Sequence, residues 1–313
     1  MLGQALRALA GCALLAAGLS PAAAQIDARR SRALYEDAIK FEAAGQLEEA
    51  LQALGAVLRA EPKSHGALRR RGRLLLRMGR FAEAAKDFDA AIALYPLDGE
   101  NWAGLGEARL GLKEYASAAT AFETAIENKH ETSAVYRALG EARAGAGRDS
   151  LAIEAFTRSI KMRLDVPETY VLRGRVHAKL GRFRDAIEDY DSALRYRPAY
   201  AEALRERGFA HGQLGQFDRA IADFDRALEL NPQDARAFAL RGAAHEVQGR
   251  PAQALADYDA SLRLDPRAVS VLLARGDLHA RRGDHQAALR DRTAALRVEP
   301  DNVTALVARG GSY

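Results

Sequence analysis

Apolar residues recur along the chain at helical spacing, in two runs separated by a short turn. The second run of the stretch 201–234 forms one helical stripe. Its members are Phe217, Ala220, Ile221, Phe224, Ala227 and Leu228. The first run has Leu204, Gly208, His211 and Leu214. Gly215 lies between the runs and suits the left-handed residue that ends a helix. Pro232 closes the stretch, since proline disfavours helical geometry in the residue before it. The pattern predicts a hairpin of two antiparallel helices, each of about 13 residues or roughly 20 Å.

This 34-residue pattern occurs eight times without insertion or deletion, which predicts a stack of identical hairpins. The predicted repeats, numbered 1 to 8, are 31–64, 65–98, 99–132, 133–166, 167–200, 201–234, 235–268 and 269–302. Counted from the first residue of each repeat, position 20 is always alanine, and position 24 is bulky and usually aromatic. Position 8 is glycine in seven repeats. Because glycine inside a helix costs about 1 kcal/mol relative to alanine, we expect a close helix crossing there. A half-repeat and tail, 303–313, is expected to lay one short helix over the end.

The small, aromatic and proline positions resemble the tetratricopeptide repeat family. In repeat 3, Trp102, Leu105 and Gly106 match the opening signature of that family, and Ala118 and Phe122 continue the match. The resemblance implies an all-α fold, a right-handed α-solenoid of about eight helix-turn-helix repeats plus a C-terminal half-repeat. It also implies that the first helices line a concave groove. Members of the family are usually protein-binding scaffolds without catalysis of their own, and we expect no cofactor in this protein.

Residues 1–24 have the pattern of a secretory signal peptide. Arg7 is the only charge, 8–19 is a run of apolar and small residues, and Ala22-Ala23-Ala24 offers a cleavage site. A dozen apolar residues is short for a bilayer span, although an uncleaved anchor is the alternative. We therefore expect cleavage near Ala24-Gln25, a short segment 25–30 before the repeats, and a periplasmic or secreted protein with no transmembrane span in the mature chain.

Cys12 is the only cysteine. Leu9-Ala10-Gly11-Cys12 matches a bacterial lipoprotein box, but it lies inside the apolar run, with leucines following it. We therefore expect a cysteine within a signal peptide and no lipid anchor at Cys12.

Composition and motifs argue against nucleic-acid binding and catalysis. The formal net charge is +4, and acids and bases are interspersed, so a dedicated nucleic-acid surface is not expected. The sequence has no nucleophile elbow and no phosphate-binding glycine loop, and His245-Glu246 lacks the second histidine of a zinc-protease helix. We expect no enzymatic activity and no bound metal.

Two recurring sets of residues resemble metal ligands only superficially. Asp-aromatic-Asp occurs in four repeats, for example at Asp223-Phe224-Asp225, but residues i and i+2 of a helix point about 200° apart. Position 11 is histidine in repeats 5 to 8, namely His177, His211, His245 and His279. Neighbouring helices lie about 8–10 Å apart, too far for one zinc ion with Zn–N bonds of about 2.0–2.1 Å. We expect packing histidines, with pH-sensitive stacking as the alternative.

Arginine at position 7 and aspartate at position 23 occur together. The pairs are Arg71 with Asp87, Arg173 with Asp189, Arg207 with Asp223, Arg241 with Asp257 and Arg275 with Asp291. Repeats 1, 3 and 4 have neither residue. The sequence therefore predicts a partly buried ion pair between the two helices of one repeat.

In the family, positions 2, 5, 9, 12 and 13 line the groove. Here these positions supply basic residues in repeats 2 to 6, which are the predicted partner-binding residues. They are Arg69, Arg73, Arg77, Arg137, Arg175, Lys179 and Arg205. Glu107 and Glu141 interrupt the stripe, and Tyr35 and Ile39 replace two residues of the family's carboxylate clamp. We expect the groove to hold a protein or peptide, acidic or extended, although simply solvated arginines are the alternative.

The leading interpretation is a non-enzymatic scaffold that binds a protein or peptide partner in its groove outside the cytoplasm. The alternative is an architectural component of an envelope assembly or oligomer that acts through its ends or convex face.

Overall fold

The computed structural model describes the backbone of residues 21–310, in which seventeen α-helices and no β-strand occur. The helices fall into two compact units, one up to Ser159 and one from Ile160 onward. The first unit contains α1 Pro21–Ala43, α2 Leu47–Ala60, α3 His65–Arg77, α4 Phe81–Leu94, α5 Gly99–Gly111, α6 Tyr115–Glu127, α7 Ser133–Gly145 and most of α8 Asp149–Met162. The second contains α9 Pro167–Lys179, α10 Phe183–Tyr196, α11 Ala201–Gln213, α12 Phe217–Leu230, α13 Ala235–Val247, α14 Pro251–Leu264, α15 Val269–Arg281, α16 His285–Val298 and α17 Val303–Gly310.

The predicted all-α fold of stacked helical hairpins is confirmed. Helices α3 to α16 place two helices in each of repeats 2 to 8, and each helix packs on the next along the chain within its unit. Gly215 ends α11 with a φ of 73°, and glycine takes the same left-handed conformation in six other turns. In repeat 3 the non-glycine residue Lys113 adopts it, with a φ of 61°.

The N-terminal expectations fall mostly outside the described residues. Residues 1–20, including Cys12, and 311–313 are not described. Helix α1 begins at Pro21 and runs without a break into the first repeat, so the predicted segment 25–30 is helical. In the described part of the chain no helix is both long and apolar enough to cross a membrane.

An aromatic ring explains the glycine at position 8. A Cβ added to Gly106 would lie 2.7 Å from the Phe122 ring, and one added to Gly208 would lie 2.8 Å from the Phe224 ring. The ring belongs to position 24 of the same repeat and is completely buried at Phe122. Close packing in the interior leaves no room for a methyl group. The predicted close approach at position 8 is thus between the backbone of the first helix and a side chain of the second.

The predicted ion pairs between positions 7 and 23 occur in all five repeats. In repeat 7, Arg241 Nε lies 2.9 Å from Asp257 Oδ2, and its Nη2 lies 2.6 Å from Oδ1. The other four pairs have both carboxylate oxygens engaged by one guanidinium in the same way. Such two-point contacts are strong and fix geometry. These five pairs, called the ion-pair ladder below, therefore each join the two helices of one repeat.

Three of these arginines, Arg207, Arg241 and Arg275, also join successive repeats, which the sequence had not predicted. Nη1 of Arg241 lies 2.6 Å from Asp225 Oδ1, at position 25 of the preceding repeat. Where position 7 is leucine, position 11 takes over the contact to the preceding repeat, since Arg143 binds Glu123 at 2.9 Å. The two aspartates of Asp223-Phe224-Asp225 thus serve different arginines, one within the repeat and one in the next.

Candidate partner-binding surface

The first-helix face, defined as positions 2, 5, 9, 12 and 13 of the first helices, carries the predicted binding residues. In the first unit, Arg69 of α3 donates to Glu100 at 2.6 Å and to Asp98 at 3.3 Å. Arg73, one turn further along, also pairs with Glu100. Asp98 is the N-cap of α5 and accepts from the backbone N–H of Glu100 at 3.0 Å. Asp98 ends the same repeat and Glu100 belongs to the next one, and the two carboxylates neutralise two of the predicted arginines.

Arg77 pairs in the opposite direction along the stack. Its Nη1 lies 2.8 Å from Glu42 Oε1 on α1, and Arg70 occupies the other oxygen of Glu42 at 2.9 Å. Arg73 and Arg77 remain 54% and 52% exposed. A guanidinium has five N–H donors, so each keeps unused donors at the surface although its charge is compensated.

Repeats 3 and 4 hold the part of this face in which the charges are not directly paired. Arg137 of α7 forms no ion pair within 4 Å among the described residues, and neither does Glu107 or Glu141. Desolvation by the surrounding protein raises the pKa of both carboxyls, and the charge of Arg137 opposes that rise. Glu107 is nevertheless exposed to solvent. One arginine thus lies in the field of two carboxylates without a fixed partner.

In the second unit, Glu206 of α11 is the centre of a charge cluster. Its Oε1 accepts from Arg205 at 3.1 Å, from Arg175 at 3.2 Å and from Arg236 at 3.3 Å, so that three successive repeats meet at one buried carboxylate. Arg205 also binds Asp234 at 2.6 Å, and Arg175 pairs with Glu202. Lys179, the remaining predicted residue, is exposed at the end of α9.

The pairs obey a rule in repeat coordinates that sequence reasoning missed. Position 5 binds position 34 of its own repeat, as in Arg69–Asp98 and Arg205–Asp234. Position 9 binds position 2 of the next repeat, as in Arg73–Glu100 and Arg175–Glu202. The spacings of 29 and 27 residues were readable from the sequence. The acids lie at positions 34 and 2, where acidic residues are also typical of turns and helix starts, so the sequence alone gives no sign that they are ion-pair partners.

An apolar cavity on the same face was also missed. Between repeats 6 and 7 a cavity of 180 Å³ is lined by Phe209, Leu240, Ala243 and Val247, together with Phe217 of α12. Phe209 and Ala243 are at position 9, and Val247, at position 13, is 65% exposed. The signal in the sequence was an aromatic residue at a position that is charged in the four preceding repeats. The cavity offers an apolar side chain a place on this face.

The position 11 histidines pack against the ion-pair ladder. His245 is 7% exposed, and its Nε2 lies 3.9 Å from Asp257 Oδ2. Burial lowers the pKa of His177 and of His245, an effect that the nearby aspartates only partly offset. No group of three or more potential ligands able to hold a metal ion occurs in the described residues.

Family comparison agrees with this architecture. Three family models match the chain. One tetratricopeptide repeat model matches residues 35–99, 206–269, 240–291 and 273–313, and a second tetratricopeptide repeat model matches 75–142. A third model, described as TPR repeat, matches 174–215. The chain belongs to the tetratricopeptide repeat family. No curated protein matches the sequence significantly.

Solved structures with the same fold are similar only at low sequence identity. The crystal structure of the APC/C hetero-tetramer Cut9–Hcn1 matches with a TM-score of 0.63 and 18% identity over 85% of this chain. This chain spans about half of that one, 52% of its length. The C-terminal part of a TPR repeat-containing protein from Cytophaga hutchinsonii matches with a TM-score of 0.61 and 19% identity, over 77% of this chain and 98% of the other. MamA from Desulfovibrio magneticus RS-1, residues 41 to the end, gives 0.50 and 22% over 55% and 97%. These likenesses concern the fold alone.

Proposed function

We propose that the protein is a non-enzymatic scaffold that binds an extended peptide segment of a partner protein on its first-helix face. The observation that carries this proposal is the apolar cavity between repeats 6 and 7, which opens on the face that the family uses for partners. Its volume of 180 Å³ suits one apolar side chain. Burying such a side chain contributes about 1.5–3 kcal/mol.

Charge complementarity on this face favours a partner that also carries carboxylates. Most predicted arginines already form an ion pair with an acidic residue of the protein. A carboxylate of an acidic peptide would therefore replace, or share the arginine with, that internal partner. Arg73 and Arg77 are about half exposed and keep donors that face solvent. Contacts of this kind are screened by salt. The charge contribution is therefore modest, and the cavity supplies specificity.

The apolar segment 8–19 and the small residues Ala22-Ala23-Ala24 support action outside the cytoplasm, after removal of a signal peptide. N-terminal sequencing of the protein recovered from cells tests this location. A mature terminus near Gln25 in the periplasmic or secreted fraction is expected, and an intact Met1 in the cytoplasmic fraction would contradict it.

Selection from a displayed peptide library on the purified chain tests the peptide-binding proposal. Selected peptides should share one apolar residue, and Ala243→Phe, which fills the cavity, should weaken their binding at least tenfold. The control is Ala252→Phe, which enlarges an exposed alanine of α14. Equal affinity of the two variants would refute the cavity as the site.

A second experiment distinguishes the contribution of the arginines to peptide binding from that of the cavity. Replacing Arg69, Arg73 and Arg77 by alanine should lower the affinity for acidic members of the selected set more at low salt than at high salt. The control removes three exposed arginines from second helices, Arg219, Arg226 and Arg263. Both triple variants change the net charge equally, so an equal loss would mean that only long-range attraction is involved.

The exposed face of α17 favours a second candidate function, association through the C-terminal end. Val303 and Val307, one turn apart, are 71% and 72% exposed, and Leu306 beside them is 42% exposed. Exposed apolar patches often mark contacts between proteins. If the protein is an assembly component, gel filtration should show growth with concentration, and Val303→Asp with Val307→Asp should abolish it. A monomer at all concentrations favours the peptide scaffold.

A further inference from the structure

The outward N–H of each ladder arginine in repeats 6 to 8 binds a carboxylate of the preceding repeat. Nη1 of Arg207 lies 2.6 Å from Asp191, that of Arg241 lies 2.6 Å from Asp225, and that of Arg275 lies 2.6 Å from Asp259. The arginine is at position 7 and the aspartate at position 25 of the repeat before, 16 residues earlier. At three junctions between repeats, the outward edge of this guanidinium thus binds an aspartate carboxylate.

At the junction of repeats 1 and 2 the carboxylate is missing. Arg71 keeps its own pair, with Nε 2.7 Å and Nη2 2.6 Å from the Asp87 oxygens. Position 25 of repeat 1, however, is Gly55. A Cβ built on Gly55 would lie 4.0 Å from Arg71 Nη1 and 3.7 Å from Arg59 Nη1. Two guanidinium groups therefore converge on the place where repeats 2, 5, 6 and 7 carry an aspartate.

Arg71, and Leu51 one turn before Gly55, also line a cavity. It has a volume of 310 Å³ and is lined by Arg71, Asp87 and the Leu51 and Leu75 side chains, with Arg80, Glu83 and Lys86 at the remaining sides. Arg80 is engaged by Glu83 through two contacts of 2.7 Å, and Asp87 is engaged by Arg71. Arg59 and Lys86 have no ion pair within 4 Å among the described residues. Basic groups therefore outnumber acidic groups around this opening, which two leucines also line.

We infer that the space beside Gly55 between Arg71 Nη1 and Arg59 Nη1, here called the Gly55 site, binds the carboxylate of an aspartate or glutamate side chain of a partner protein. The carboxylate would accept from Nη1 of Arg71 and Nη1 of Arg59, as Asp225 accepts from Arg241. Charge-assisted contacts of this kind are the strong ones. Leu51, which is partly exposed, gives the neighbouring residue of the partner an apolar contact, which distinguishes a peptide from a free anion.

The Gly55 site is distinct from the first-helix face. Arg71 is two residues from both Arg69 and Arg73 on α3, which is about 200° around the helix. Peptide binding at the first-helix face and carboxylate binding at Gly55 can therefore be gained or lost separately. A scaffold with both sites is able to hold two partner segments at once.

Substitution of Gly55 tests the inference within the chain. Gly55→Asp supplies the missing carboxylate, and the Cβ has room because its nearest neighbours are at ordinary contact distance. The matched control Gly55→Asn has the same shape and no charge. By hydrogen exchange, the amides of α2 and α3 should be protected about two- to fivefold more in Gly55→Asp than in Gly55→Asn at low salt, and the difference should shrink in 0.5 M salt.

Nitrogen-15 NMR of the arginine side chains tests binding directly. The probe is a blocked pentapeptide, Ala-Leu-Asp-Ala-Ala, with its asparagine counterpart as the control. The aspartate peptide should shift the Arg71 and Arg59 signals in the native chain and in Gly55→Asn, but not in Gly55→Asp. Equal shifts in Gly55→Asp, or with the asparagine peptide, would overturn the site. Equal shifts from the same concentration of acetate would overturn its assignment to a protein partner.

Discussion

Breaking the Arg241–Asp257 pair examines the ion-pair ladder most directly, because the protein itself provides an apolar replacement. Arg241→Leu with Asp257→Ala copies the combination of repeats 3 and 4, where position 7 is leucine and position 23 is alanine. In those repeats the leucine is fully buried, as Leu105 is at 1% exposed. The double variant therefore installs a pairing that the fold already accommodates.

The magnitude follows from the exposure of the two groups. The Asp257 side chain is 7% exposed and that of Arg241 is 21% exposed. Removing the arginine leaves a buried carboxylate and should cost about 3 kcal/mol. Removing the aspartate should cost about 2 kcal/mol, because Arg241 reaches solvent and keeps Asp225. The double variant leaves no buried charge unpaired, and we expect it to cost only about 1–2 kcal/mol, from the lost surface contact and a small cavity.

The coupling energy should therefore be about 3 kcal/mol. Stacked repeats can open locally, so global melting is a poor measure. Hydrogen exchange of α13 and α14 followed by mass spectrometry gives the local free energy of opening. Arg226 and Glu229, an exposed pair at 2.5 Å on α12, provide the control, with a coupling below about 0.5 kcal/mol. Additive single variants in the Arg241–Asp257 cycle would refute the ladder as a source of stability.

Three further changes follow from the same packing. Gly106→Ala should destabilise the protein by about 1–3 kcal/mol in urea unfolding, because its Cβ would lie 2.7 Å from the Phe122 ring. The control Gly276→Ala has no ring nearby and a closest contact of 3.3 Å, so it should be neutral or stabilising in the same assay. Lys113→Gly should stabilise by about 1 kcal/mol, since its φ of 61° favours glycine; a loss of stability in the same assay would contradict this. Burial lowers the pKa of His177 and His245 below 6.5, so the unfolded chain binds these protons first and stability should fall as the pH drops through 6.5. The double variant with glutamine at both positions should have a flatter pH profile between 7.5 and 5.5, and an unchanged slope would exclude these histidines as the cause.

The internal repetition explains why so much of the fold was predictable. Each position was seen up to eight times, so the pairing of Arg241 with Asp257 could be tested against repeats that lack both residues. Repeats 1, 3 and 4 supplied that contrast, and it correctly selected a pair within one repeat. Helix ends were equally readable, since Gly215 and its equivalents mark the turn in every repeat except repeat 3, where Lys113 takes that place.

The binding face was harder to predict because its charges depend on neighbours in space. Arg69, Arg73 and Arg77 read as a basic stripe along one helix, but their partners Glu42, Asp98 and Glu100 come from helices on either side. Considering one helix at a time counts the cations and misses the acids that compensate them. The same limitation hid the cavity formed by Phe209 and Val247, which come from different repeats.

The sequence by itself determined the helical hairpin, its number of copies, the buried positions and the pairs within a repeat, because local periodicity and repetition encode them. The tertiary structure alone decided which charges stay uncompensated. Stacking brings position 25 of one repeat against position 7 of the next. Asp225 therefore accepts a hydrogen bond from Nη1 of Arg241, whereas Gly55 has no side chain to accept one from Nη1 of Arg71. Electrostatic energy depends on distances between side chains from different repeats, and only the packed structure determines those distances.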